Sequence, residues 1–130
     1  MKTLVVCYSK TGTTAKVAKD LVKGKDFDYD ELKYDEGAKT TSHTRNPAEY
    51  ERVILLSPVW AFSLSEPMTQ YIFKNKAGIK RYDLVVTCGL MGLRGCVRKC
   101  ASILGRPPEK TLKLKSKNVQ AGNFDVSGIV

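Results

Sequence analysis

LVVCYSKTGTTAKVAKDLV, residues 4–22, decides how this chain folds. An apolar run from Leu4 to Cys7 meets a loop of hydroxyls with one glycine, Ser9-Lys10-Thr11-Gly12-Thr13-Thr14. A segment of helical period follows at once, with Ala15, Ala18, Leu21 and Val22 on one face. A buried strand that turns directly into a helix brings free backbone N–H groups to the positive end of the helix dipole. That arrangement receives a phosphate. Ser9, Thr11, Thr13 and Thr14 add hydroxyl donors, Lys10 adds charge, and Gly12 lets the backbone approach closely. The competing reading is an ordinary strand–helix turn capped by Thr13 or Ser9. The loop lacks G-x-x-x-x-G-K-[ST] and G-x-G-x-x-G, which argues against a nucleoside-triphosphate P-loop and a dinucleotide fingerprint. One glycine among hydroxyls suits a compact terminal monoester.

Working outward, strand-like and helix-like segments alternate. A first strand is expected over 2–8, buried on both faces as in parallel sheets, and a first helix over 12–23. Residues 27–33 form a weaker, edge-like strand in which Phe27 and Tyr29 alternate with acids. The polar stretch 35–49 is expected to hold a turn or two of helix within irregular chain. Residues 52–57 are the most hydrophobic strand. Pro67 opens a helix carrying Met68, Tyr71, Ile72 and Phe73. A fourth strand is read over 83–88, a fourth helix from about Gly92 to Leu104, and a lysine-bearing edge strand over 111–115. No linker or repeat divides the chain, so residues 1–130 read as one domain. In a doubly wound sheet ligands sit at the carboxyl ends of the strands. Ser9, Ser57 and Cys88 end three of these strands and should meet at one edge.

Ser9-x-Thr11-Gly12-x-Thr14 behind an apolar strand resembles the phosphate loop of the flavodoxin family. Tyr50 to Ala61, with Pro58-Val59-Trp60, resembles the family's third strand and first flavin-flanking loop, and Tyr82 to Gly89 its fourth strand and second flavin loop. The resemblance covers most of residues 2–105. It implies an α/β fold with a doubly wound, five-stranded parallel sheet of order 2-1-3-4-5. It also implies flavin mononucleotide (FMN) as cofactor. The loop Ser9–Thr14 would hold the phosphate, Pro58, Val59, Trp60, Ala61 and Phe62 one side of the ring, and Cys88, Gly89, Leu90 and Gly92 the pyrimidine edge. Trp60 would stack on the ring, against the alternative of a core tryptophan. Family members carry a glycine after Trp-Ala that eases rotation of a peptide beside the flavin; Phe62 stands there. Non-glycine residues resist positive φ, so a flavin poorly suited to holding one electron is expected. The last helix of the family has no counterpart in the pattern of 118–130. Phe124, Val126, Ile129 and Val130 would cover that face as extended chain, or a second copy would cover it in a homodimer, or the chain is shortened.

The functions that follow are electron transport by a flavoprotein or a small FMN-dependent oxidoreductase, with a redox protein or small electron acceptor as partner. The alternatives are a flavin-free interaction module of the same fold and a flavoprotein like the ribonucleotide-reductase activators. No catalytic residue or metal set is assigned: the only histidine, His43, is remote from Cys96 and Cys100. The four cysteines read as buried reduced thiols rather than a disulfide framework. The net charge of +9 resides in residues 71–130, which hold twelve basic and three acidic groups, whereas residues 1–70 balance at ten each. Family carriers are acidic, so this is a departure. It reads as a solvated lysine edge or as attraction to acidic partners or nucleotides. Without interleaved aromatics it argues against specific nucleic-acid binding. Neither a membrane span nor a signal peptide is read, so a cytoplasmic location is expected.

Overall fold

In the computed structural model, which describes residues 2–130, the opening apolar run forms β1 (Thr3–Cys7) and the segment after Gly12 forms α1 (Thr13–Val22). The chain continues through β2 (Phe27–Glu31), a hairpin of β3 (Lys33–Asp35) and β4 (Thr40–Ser42), and a 3-10 turn at Pro47–Glu49. Then come β5 (Arg52–Trp60), β6 (Ser63–Leu64), α2 (Glu66–Lys74), β7 (Arg81–Cys88), α3 (Leu93–Leu104), β8 (Thr111–Lys115) and α4 (Ser116–Gln120). Five parallel strands stand in the order β2-β1-β5-β7-β8. Counted along the parallel sheet, this is the expected order 2-1-3-4-5. Among the described residues, no helix is long and apolar enough to cross a membrane.

Alternation along the central strands builds two cores. Leu4, Val6, Val53, Leu55, Tyr82, Leu84 and Val86 face α2 and α3, where they meet Met68, Ile72, Cys96 and Cys100. Val5, Cys7, Ile54, Leu56 and Val85 face α1 and meet Ala15, Val17, Ala18 and Leu21. With both faces covered, near-continuous apolar strands are what a parallel sheet requires. All four cysteines are free and buried. Burial raises the thiol pKa of Cys7 and Cys100 to about 12 and that of Cys96 to about 11.

Two segments depart from the sequence reading. Residues 35–49 hold the expected turn of helix, as the 3-10 turn Pro47–Glu49, but they also form with Lys33 and Tyr34 an unexpected β3–β4 hairpin that makes the crossover. Asp35 accepts hydrogen bonds from the Gly37 and Ala38 amides at 3.0 and 3.1 Å, which fixes the turn, and Thr40–Thr41 favour a strand. The hairpin lies on α2 through Thr41 Oγ1 donating to the Pro67 carbonyl at 3.1 Å. The buried Asp30 carboxylate anchors its far end, accepting from the Thr44 and Arg45 amides at 3.2 and 2.9 Å. The second departure is the end of the chain. The last helix is present, but only five residues long, and it brings Val119 into the core. Val126 and Ile129 complete that face from the tail, with Phe124 half-buried and Val130 exposed. The tail thus covers the face for which a second copy was the alternative cover. Phe73, expected on the buried face of its helix, points outward beneath the Lys76 ammonium.

A buried ion pair fixes the tail. The Arg52 guanidinium donates to Asp83 Oδ2 at 2.7 Å through Nε and reaches the Ile129 carbonyl through its second nitrogen. Asp83 Oδ1 accepts the Lys110 amide at 3.1 Å, so one carboxylate ties β5, β7 and the start of β8 together. At the opposite edge, β5 and β6 close a two-residue hairpin, Val59 opposite Leu64 and Trp60 opposite Ser63. The type I′ form of such a hairpin demands positive φ at both turn residues, and Ala61 and Phe62 adopt 51° and 63° without a glycine. The expected resistance to positive φ is therefore overcome. The offsetting contacts are the Ser57–Ser65 hydroxyl pair at 2.8 Å and the close seat of the turn on α3. A Cβ on Gly95 would stand 1.9 Å from the Phe62 carbonyl oxygen.

Removing one partner of a buried pair strands the other. Arg52→Ala is expected to lower unfolding free energy by about 3–5 kcal/mol in a denaturant titration, and to raise amide exchange in residues 124–129. Ala61→Gly relieves one left-handed residue costing roughly 1–2 kcal/mol and adds chain entropy to the unfolded state. A net stabilisation of about 0.5–1 kcal/mol is expected in the same titration.

Candidate functional site

The carboxyl ends of β1, β5 and β7 lie side by side because Cys7 pairs with Leu56 and Pro58 with Thr87 in parallel register. Whatever follows those ends is gathered at one edge. The loop after β1 is closed on itself, with the Gly12 amide donating to Ser9 Oγ at 3.0 Å. Gly12 stands at φ 93° as the residue before α1. No side chain caps α1 and no acid stands in its first turn. Its first-turn amides are thus left for an anion, and Glu36, a carboxylate beside the loop, is paired with Lys10 at 3.4 Å.

A cavity of about 180 Å³ opens at this point, lined by Lys10, Thr11, Thr13, Thr14, Pro58 and Trp60 and also by Thr87, Ser116 and Gln120. Thr11 and Thr13 are within 3.3 Å of each other through their hydroxyls. Thr14 is buried, and its hydroxyl pairs with Thr87 at 2.8 Å, joining α1 to β7. Gln120 reaches Thr13 Oγ1 at 3.3 Å, and its carbonyl accepts from Lys16. The short α4 is therefore part of the wall. Thr87, Ser116 and Gln120 were not among the site residues named from the sequence. Ser116 and Thr87 were within reach of the carboxyl-edge rule, because each stands at the end of a parallel strand. Gln120 carried no signal, since the segment has no helical period.

A second cavity, about 390 Å³, lies between the β5–β6 turn and the loop after β7. Val59, Ala61, Phe62, Cys88, Gly89, Leu90 and Met91 line it. Its walls are mostly apolar, and Phe62, Leu90 and Met91 are 69, 70 and 59% exposed. The two cavities share the ends of β5 and β7: Pro58, Trp60 and Thr87 border the first, Val59, Ala61 and Cys88 the second. Trp60 is half-buried, edge-on to Tyr8 at 5.6 Å between centroids, with Lys10 Nζ 5.9 Å from its ring centre. It is neither a core residue nor free in solvent. Gly92 serves as a spacer, since a Cβ there would stand 2.3 Å from Val59 Cγ1. Its φ of 133° is one that side chains rarely adopt. All the site residues named from the sequence except Ser9, Gly12 and Gly92 thus line one of two adjoining cavities at this edge, the first lined mainly by polar side chains and the second mainly apolar. Among the described residues, no cluster of His, Cys, Asp or Glu is arranged to hold a metal.

No protein-family model matches the sequence, and no curated protein is detectably similar to it. Solved structures are similar in backbone. A flavoprotein from Lactobacillus acidophilus NCFM, crystallised in complex with FMN, superposes with a TM-score of 0.77 at 18% identity, covering 92% of this chain and 97% of that one. The Trp repressor binding protein from Bacillus subtilis gives 0.65 at 13% identity, over 94% of this chain and 98% of that one. A Fusobacterium nucleatum flavodoxin bound to flavin mononucleotide gives 0.58 at 18% identity, over 85% and 69%. At such identities the likeness speaks to architecture, and it agrees with the strand order and the flanking helices: this chain has the flavodoxin-like fold.

Proposed function

We propose that this chain binds FMN non-covalently at the carboxyl edge of its sheet and works as a redox flavoprotein. The observation that carries this reading is the adjoining pair of cavities. One offers uncapped helix amides, hydroxyls and Lys10 for a phosphate dianion. The other offers an apolar bed for a flat ring. The donor set fits the group: the residues at the phosphate end include no carboxylate. Thr11, Thr13, Gln120 and the first-turn amides of α1 would hold the phosphate and the polyol next to it. Trp60 and the turn Ala61–Phe62 would flank the ring, and the backbone of 88–92 would meet its pyrimidine edge. When bound, FMN supplies one- and two-electron chemistry; the protein binds it, orients it and limits its contact with water.

The solved neighbours whose names include FMN support the cofactor, and their low identity leaves the redox role as this reading's own step. Four free buried cysteines are consistent with a reducing compartment, and the reading places the protein in the cytoplasm.

Replacing Thr11 and Thr13 together by alanine removes two hydroxyl donors to a charged group, each worth about 1.5–3 kcal/mol. FMN affinity, followed by quenching of flavin fluorescence, is expected to fall at least tenfold. Gln120→Ala is expected to weaken binding severalfold, as a contact through α4 requires. Failure of the wild-type chain to quench FMN would leave the flavin-free interaction module as the better account. Unchanged affinity in the Thr11/Thr13 variant would move the phosphate elsewhere.

A further inference from the structure

We infer that the rim formed by Phe62, Leu90 and Met91 with Arg94, Arg98 and Lys99 is a docking face for an acidic one-electron redox protein. This rests on the flavin reading above, because the rim borders the cavity assigned to the ring on its α3 side.

Five large hydrophobic side chains are prominently exposed among the described residues, and three of them are Phe62, Leu90 and Met91. They line one cavity, so they form a continuous patch rather than scattered exposures. Contiguous exposed apolar surface marks interaction sites. The patch is flanked along α3. Met91 leads through Gly92 into the helix, Arg94 follows on its first turn, and Arg98 and Lys99 border a hollow of about 340 Å³ with Phe62, Ser63 and Ser102. Arg94, Arg98 and Lys99 are exposed, and none takes part in an ion pair among the described residues. Lys10 stands on the other side of Trp60.

Glu36 is paired with Lys10 at 3.4 Å, and Glu66 lines a hollow with Lys99 and keeps its charge while accepting the Tyr34 hydroxyl. The α3 side of the rim still presents, among the described residues, three positive charges outside any ion pair against that one carboxylate, beside an apolar centre. An apolar core with a charged margin is the usual anatomy of a transient interface. Rim charges act mainly on encounter rate and partner choice. The complementary partner has an acidic margin around an exposed redox centre. On docking, one electron leaves the reduced flavin and enters the partner's oxidised centre; no bond forms, and any proton released goes to solvent.

The test uses the acidic haem protein cytochrome b5 as probe and basic cytochrome c as its opposite. Association of each with the chain is titrated with and without FMN, and reduction of ferric haem by the chemically reduced FMN-loaded chain is followed by stopped flow. The rim requires that cytochrome b5 binds and is reduced at least tenfold faster at low salt than at 0.5 M salt. It requires that Arg98→Glu with Lys99→Glu weakens both readouts at least tenfold while FMN affinity is unchanged. The charge-matched control, Lys19→Glu with Lys23→Glu at the far end of α1 from the phosphate loop, must change them less than threefold. Equal loss in the two variants would reduce the effect to net charge and overturn the rim. Preference for cytochrome c would overturn the sign of the partner. Saturable displacement of cytochrome b5 by a nicotinamide nucleotide would assign the cations to a small phosphate ligand instead. If the chain takes up no FMN, the cofactor reading fails alone, and the association data still decide the docking face.

Discussion

Everything in this molecule depends on three central strands lying parallel and level. The register that sets Leu4 beside Val53, and Val53 beside Tyr82, leaves both faces of the sheet apolar. Each parallel step needs a crossover, and each crossover must cover a face. The same register delivers three strand ends to one edge. Neither cavity is carved out of a core; both are the space left where loops of different length leave adjacent strands. Polar groups mark the two ends of the α1-side face. Arg52 and Asp83 close the amino edge, and Thr14 with Thr87 close the edge that carries the site.

The parts legible in the sequence were those dictated by period and by strand ends. The runs Leu4–Cys7, Val53–Leu56 and Leu84–Val86 could hardly be anything but buried strands, and the site follows from where they stop. The hairpin of residues 33–42 was hidden because its signal is a single side chain, Asp35, folding a turn onto the Gly37 and Ala38 amides. The fold-level demand for a crossover helix pointed the other way. The five-residue α4 was too short for any period to register. The turn at Ala61–Phe62 was read correctly as lacking glycine, and its two residues adopt positive φ in spite of the local cost. What overrides the local preference is tertiary: Gly95 and Gly92, distant in sequence, give the turn room to sit on α3.

That turn also shows how this chain differs from a neutral scaffold. A left-handed Ala-Phe pair stands at the rim of the candidate ring site, where Phe62 presents most of its side chain to solvent. Strained backbone held by over-determined surroundings is concentrated at functional sites. The same residue borders the apolar cavity, the hollow beside Arg98 and the turn itself, so the proposed ring site and the proposed docking face share it.

The wall formed by Ser116 and Gln120 has a consequence for the order of events during synthesis. Strands β1, β5 and β7 and the loop from Ser9 to Thr14 emerge early, and α1 can begin to pack as they do. The polar cavity is not enclosed until residues 116–120 arrive, and that short helix is held down by Val119 and by a tail pinned through Ile129 to Arg52. A ligand in that cavity therefore meets a finished pocket only after residues 116–129 have left the ribosome. A nascent chain stalled before them would present the phosphate loop with one wall open.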